Sequence, residues 1–217
     1  METKIAAQQP YFLPDFHYFY KIVSSDIYCI ADFLRFRKQS PVVRANLIDT
    51  YLTVPVKHHK SDPQPSITQI RLAGPYLWRQ KHLRTLQSRY SSLPFFEYYY
   101  PDLAQIYSRR HEVLNTFLWE ILCWHMKMLL PSRKIYRCSD EGIDSLQSLM
   151  GWFQKFEKVS WLIYPQEKEY YKTHFTEIPL QEISYERNSL FPYPYVPEMP
   201  LLVLLFLRGP ETVNYFQ

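Results

Sequence analysis

Four glycines against seventeen prolines constrain this 217-residue chain more than any motif in it. Glycine lets a backbone close tightly around a phosphate, and neither GxGxxG nor GxxxxGK[ST] occurs among these four widely spaced glycines. A dinucleotide site of the usual glycine-loop kind and a Walker-type NTPase are therefore excluded. Any phosphate has to be met by Arg, Lys or a bare helix N-terminus. The prolines act the other way and stiffen corners. Pro10 and Pro14 enclose Tyr11-Phe12-Leu13, and the chain after Phe175 is rich in Pro and Tyr.

Between these corners the apolar pattern alternates strand and helix. Lys4 to Gln8 reads as a short buried strand ending at Gln9-Pro10. A helix follows from Asp15 to Val23, with Asp15 as its cap. Ile27 to Ile30 is a second strand that ends at Asp32. Val42-Val43 and Tyr51 to Val56 form a strand pair around Asp49-Thr50. His58 to Pro65 is a surface loop, and Ile67 to Leu72 alternates as a half-exposed strand does. Helices are predicted over Pro75 to Ser91, Pro101 to Leu129 and Asp144 to Lys158, with strands at Ile135 to Cys138 and Trp161 to Tyr164. No repeat or linker interrupts the order. The reading is an α/β fold, one domain over 1–217, with a mixed sheet and packed helices.

A 47% hydrophobic share supplies a core and argues against disorder. Aromatic residues make up 18%, and most of them fill that core and its rim. The net charge of +4 comes from scattered cations, among them Arg35, Arg37 and Lys38, then Arg79, Lys81, Arg84 and Arg89. Polybasic tracts are absent, so nucleic acid is not the expected partner. Cys29, Cys123 and Cys138 are odd in number and widely spaced, unlike a disulfide framework, and no secretory leader is read at the start. Together they point to the reducing cytoplasm. The longest apolar run, Leu201 to Leu207, is too short to span a bilayer.

Several groupings carry candidate chemistry. On the helix from Pro75, Leu83, Leu86 and Tyr90 share the expected core stripe. Trp78, His82, Thr85 and Arg89 share the next one, with Lys81 at its edge. Trp, His and cations at that spacing suit an anionic, partly planar ligand, and equally an ordinary solvated helix face. Gln9-Pro10-Tyr11 sits where a strand ends, the usual edge of a ligand site in open α/β sheets, and Asp32 closes the next strand. Arg35, Arg37, Lys38 and Arg44 form a cationic loop, an anion clamp or a solvated surface. His58 and His59 are adjacent and cannot share one face, and neither HExxH nor CxxC occurs, so no metal is expected. No cofactor is implied. Cys138 lacks a GxSxG-like elbow or a linked His and reads as a buried thiol.

The segments Gln9-Pro10-Tyr11-Phe12-Leu13-Pro14 with Tyr18-Phe19, Leu52-Thr53-Val54-Pro55-Val56, Trp78-Arg79-Gln80-Lys81-His82, Tyr90 and Pro94-Phe95-Phe96 resemble the WbqC-like protein family. Leu204-Leu205-Phe206 and Gly209-Pro210-Glu211 resemble that family's ending, and Asp32, Lys38 and Arg44 stand where it has a strand-end Asp, a Lys and an Arg-rich stretch. The chain departs from the pattern elsewhere. His17 replaces a small residue, Ser40-Pro41-Val42 an aromatic-Asn-Arg run, Tyr185 to Ser189 a His-Pro…Tyr-Pro-Gln segment, Trp161-Leu162-Ile163 a Ser-Gly pair, and Val203 and Leu207 an Asp and an Asn.

The resemblance implies a transferase acting on an activated amino sugar in surface-polysaccharide or O-antigen biosynthesis, attaching an acyl or aminoacyl group. In that reading Gln9, Tyr11, Lys38, Arg44, Trp78 and Lys81 hold an anionic ligand such as a nucleotide sugar. His82 or Asp32 is the general base, since His titrates near neutral pH and a partly buried carboxylate can be tuned there. The alternative is a catalytically silent binding or scaffold protein that keeps the fold and serves a protein partner.

Overall fold

The computed structural model of the protein describes residues 2–57, 64–74, 77–174, 178–185 and 191–216. Along the chain the elements are β1 (Thr3–Gln8), α1 (Phe16–Ser24), β2 (Ile27–Ile30), β3 (Arg44–Asn46), β4 (Tyr51–Thr53), α2 (Leu77–Tyr90), α3 (Phe96–Ser108), α4 (Leu114–Leu129), β5 (Tyr136–Arg137), α5 (Leu146–Phe153), β6 (Val159–Ile163), α6 (Lys168–His174), β7 (Leu180–Glu182) and α7 (Leu201–Arg208). Single 3-10 turns lie at Ile67–Gln69 and Pro165–Glu167, and a longer one at Gly209–Phe216. The fold is α/β. It divides into two compact units, one built from Met1–Gln9, His17–Leu34 and Lys134–Leu190, the other from Pro10–Phe16, Arg35–Arg133 and Phe191–Gln217.

The first unit holds a sheet of order β5-β2-β1-β6-β7, in which every pairing is parallel. The expected mixed sheet thus resolves into two: this parallel one, and a separate antiparallel pair, β3 with β4, in the second unit. Strands buried on both faces need unbroken apolar runs. Ile5-Ala6-Ala7, Tyr28-Cys29-Ile30 and Trp161-Leu162-Ile163 supply them. One face packs Ile5, Ala7, Cys29, Trp161 and Ile163 against Leu149 and Phe153 of α5. On α1, Tyr18, Phe19 and Ile22 are buried, and the Tyr18 ring meets Tyr28 edge-on at 5.8 Å. In order of entry the strands run 3-2-1-4-5, so the winding reverses between β1 and β6, the arrangement of doubly wound sheets. The turn after β1 carries Gln9-Pro10 where glycines are usual.

The second unit is mainly helical. Phe12, Trp78, His82, Tyr107 and Phe117 form an aromatic cluster with ring centroids 5.1–6.1 Å apart. Leu201 to Phe206 of α7 are all buried, as in a helix apolar on every side.

Several expectations are corrected. The single helix predicted from Pro101 to Leu129 is two, because the chain turns extended at Arg109 (φ −68, ψ 147), and α3 begins before Pro101 and carries it inside. Ile67 to Leu72 is not a strand. It is a 3-10 turn followed by isolated bridges from Arg71 to Val113 and from Leu72 to Val56. The helix expected over Asp144 to Lys158 covers only Leu146–Phe153, with Ser145 capping it by accepting the Ser148 N–H at 3.1 Å. The first strand of the antiparallel pair is Arg44–Asn46 instead of Val42-Val43, and β7 was not anticipated. His58 and His59, the loop through residue 63, Pro75 and residues 186–189 lie outside the described residues.

Candidate functional site

Prolines shape the site. In the second unit, three separated segments converge on a cavity of 260 Å³: Tyr11 to Asp15, the stretch from Gln39 to Tyr51, and Glu198 with Pro200. Proline lacks an N–H but keeps its carbonyl, and three proline carbonyls tie these segments together. Pro41 accepts the Phe12 N–H at 2.8 Å, Pro14 the Leu201 N–H at 2.9 Å, and Pro197 the Phe16 N–H at 3.2 Å. Asp15 also bridges Pro200 in antiparallel fashion. Two lining residues, Leu13 (φ 49) and Gln39 (φ 60), hold a left-handed backbone. For residues with a Cβ such strain concentrates at functional sites.

The hairpin of β3 and β4 supplies most of the polar lining. Arg44 pairs with Thr53, and Asn46 with Tyr51. Side chains alternate along a strand, so Ala45 and Leu52 are buried while Arg44, Asn46, Tyr51 and Thr53 share the opposite face. Diagonal neighbours on such a face are within reach of long side chains. Accordingly the Arg44 guanidinium lies 3.7 Å from the centre of the Tyr51 ring. Its Nε is buried and has no hydrogen-bond partner among the described residues. The remaining polar residues on the wall are Tyr11, Asp15, Gln39 and Glu198.

The structure brings two of the expected ligand residues, Tyr11 and Arg44, onto this cavity. Lys38 is exposed and directly precedes Gln39, which lines it. Trp78 and His82 are not on the wall. They belong to a buried ridge at every fourth position, Trp78, His82, Leu86 and Tyr90, and Lys81 is exposed beside it. The two stripes expected on α2 are thereby redrawn. Leu83 is only half-buried, because the large rings of Trp78 and His82 take the core position instead. Arg79, counted among the scattered surface cations, is 6% exposed and donates to the carbonyls of Tyr107 at 3.1 Å, His111 at 3.4 Å and Arg109 at the end of α3.

His82 is held at both ring nitrogens. The Thr53 carbonyl can only accept, so Nε2 carries the proton donated to it at 3.1 Å, and Nδ1 accepts from the Tyr107 hydroxyl at 3.4 Å. Burial pulls its pKa down to about 4, with the Thr53 carbonyl opposing, and burial raises that of Tyr107. The imidazole therefore buttresses β4 at the residue paired with Arg44.

Gln9 and Asp32 fall in the first unit, at strand ends. Gln9 is half-buried. Asp32 is fully buried and accepts the Ser139 N–H at 3.0 Å and the Ser139 hydroxyl at 2.6 Å, joining the ends of β2 and β5. Beside it, contact with Cys29, then burial, pushes the Cys138 thiol up, and both cysteines are free and buried. The same unit buries Lys21 completely, 2.7 Å from Glu167 and over the rings of Tyr164 and Tyr171. Burial lowers the pKa of that lysine while Glu167 opposes the shift.

Sequence reasoning missed Asn46, Tyr51 and Glu198 as site residues and gave Asp15 only a capping role. The Pro197-Glu198-Met199-Pro200 run, a carboxylate between two rigid residues, was the signal available for Glu198. Among the described residues no helix is long and apolar enough to cross a membrane. No curated protein and no solved structure matches the chain. A model of the WbqC-like protein family matches residues 9–215, from Gln9 ahead of the cavity turn to beyond Gly209, and the chain belongs to that family.

Proposed function

We propose that the cavity of the second unit binds the anionic group of an activated sugar or amino sugar, and that the protein transfers an acyl or aminoacyl group to it in the cytoplasm, in surface-polysaccharide or O-antigen biosynthesis. The observation that supports this reading is Arg44, stacked on Tyr51 at the wall of a cavity, with a buried donor that has no partner among the described residues. A guanidinium held over a ring is pre-organised for a planar or tetrahedral anion. Lys38 adds charge at the rim. His82, through Thr53, sets the position of Arg44, and Asp15 and Glu198 are the carboxylates on the cavity wall. Free thiols at Cys29, Cys123 and Cys138 suit a reducing compartment. The test is calorimetric titration and thermal shift with nucleotide sugars and sugar phosphates, followed by transfer assays with acyl-CoA and aminoacyl donors. A ligand at a hundred times its Kd adds about 2.7 kcal/mol of stability. That gain should vanish in Arg44→Met, and equal binding by Arg44→Met and wild type would sink the reading.

A second reading, binding without turnover, draws on Val203. It stands where the family has an Asp, and it is fully buried inside the all-apolar α7. It requires ligand-induced stabilisation that depends on Arg44 and no product with any donor.

A further inference from the structure

Resting on the reading of this cavity as the anion site, we propose that Asn46 is its second anion-holding residue, and that Asn46 with Arg44 selects a phosphoryl group over a carboxylate. Tyr11, Asp15 and Glu198 on the same cavity wall are already engaged by other groups of the fold. The donors open to a ligand come from the hairpin. Arg44 rests over the Tyr51 ring, and its buried Nε has no partner among the described residues.

Asn46 lines the cavity from the same face, with its amide fixed in orientation. Its Oδ1 accepts the Ile48 N–H at 3.0 Å. Only the oxygen of an amide accepts, so the NH2 is the end left for the cavity. The bond closes a turn in which Ile48, exposed and β-branched, has φ 73. A β-branched residue avoids that region unless its surroundings hold it there. Here they do so at several points. The Leu47 N–H bonds to Thr50 at 2.8 Å, and Asp49 pairs with Arg89 at 2.7 Å, tying the hairpin tip to α2. His82 of the same helix holds the other end at Thr53. Arg44 and Asn46 therefore stand on a strand fixed at both ends, about 6.6 Å apart along it.

The shape of the anion decides whether both residues find an acceptor. The fork of an arginine matches the two oxygens of a carboxylate and takes both. Asn46 is then left with no oxygen of its own. A phosphoryl group carries three terminal oxygens pointing in different directions. Two meet Arg44 and the third meets the Asn46 NH2. The volume of 260 Å³ lies just under the range of about 300–1,000 Å³ typical of drug-sized ligands, which suits a phosphate with one sugar ring.

Three probes decide the matter by calorimetric titration of the full chain. Glucose 1-phosphate carries the phosphoryl group, glucuronate a carboxylate on a similar ring, and malonate two carboxylates that match the charge of the phosphate. Glucose 1-phosphate is expected to bind at least about tenfold tighter than either carboxylate, the worth of one hydrogen bond to a charged group. In Asn46→Ser the hydroxyl still accepts the Ile48 N–H but no longer reaches the ligand. That variant should lose the preference and leave carboxylate binding unchanged. Asn46→Asp keeps the turn acceptor more closely and puts an anion in place of the NH2, so it should bind no glucose 1-phosphate. Arg44→Met should weaken all three probes.

A preference that survives in Asn46→Ser, or glucose 1-phosphate bound at full strength by Asn46→Asp, overturns the assignment of Asn46. Equal weakening of all three probes in Asn46→Ser also overturns it, because Asn46 then only supports the hairpin. In each of these cases dependence on Arg44 leaves the anion site standing. Binding unchanged in Arg44→Met, or no binding of any probe, removes the cavity reading and the role of Asn46 with it.

Discussion

Gly209 shows how much one residue can be bound to its place. It ends α7 with φ 56 and ψ −134, and a Cβ added there would come within 2.6 Å of the Phe95 ring. Backbone strain and overpacking act together at such a position. Gly209→Ala is expected to lower unfolding stability by at least about 2 kcal/mol in urea titrations. Adding Phe95→Leu should recover part of that loss, a non-additivity that a double-mutant cycle reads directly. A loss under about 0.5 kcal/mol would contradict the geometry. The residues of the candidate site were unevenly visible at this scale. Tyr11 and Arg44 stood out through their motif and charge. Glu198 offered only its place between two prolines, because a carboxylate on an irregular segment has no periodicity, and Asp15, on the same cavity wall, lies 183 positions earlier. His82 was visible as a residue but not in its role, since nothing in its spacing tells a ring facing ligand from a ring holding a carbonyl.

Elements were legible where one physical signal dominated. The buried strands β1, β2 and β6 appear in the sequence as short apolar runs and fall within two residues of their predicted ends. Helices were harder to bound. Pro101 looked like a start, yet α3 carries it in its second turn, and the break before α4 is made at Arg109 to Val113, where no glycine or proline marks it. The buried guanidinium of Arg79 explains that break, since it takes up carbonyls that a continuing helix would have used. The join between β2 and β5 is another tertiary feature, with Asp32 bonded twice to Ser139. Hydrogen bonds to a charged acceptor are worth more than neutral ones, so Asp32→Ala should cost about 2 kcal/mol of stability. Ser139→Ala in the Asp32→Ala background should then cost almost nothing further. Additive losses would show that the pair does not act as a unit.

Over the whole molecule, acid is the most informative perturbation. His82 and His125 are buried, and burial pulls each pKa down to about 4, whereas an unfolded imidazole titrates near 6.5. The unfolded chain therefore binds protons first as pH falls. Stability from these two groups is complete above about pH 6.5 and drains away between 6.5 and 4. At pH 5 each has withdrawn about 2 kcal/mol. Urea midpoints measured from pH 7.5 to 4.5 should fall across that window, and the fall should be shallower in a His82→Gln, His125→Gln double variant. An identical pH profile in the double variant would place the acid sensitivity elsewhere.

The order of the parallel sheet also bears on how the chain is made. Its central strand, β1, is made well before one of its two neighbours, β6, which begins 156 positions later, where Val159 meets Thr3. At translation rates of about 5–20 residues per second, that edge waits roughly ten to thirty seconds for its partner. An unpaired apolar strand is open to other chains throughout that interval. Yield of the folded protein should therefore fall with expression rate, and recover with added holdase chaperone, well before the folded molecule itself shows any loss of stability.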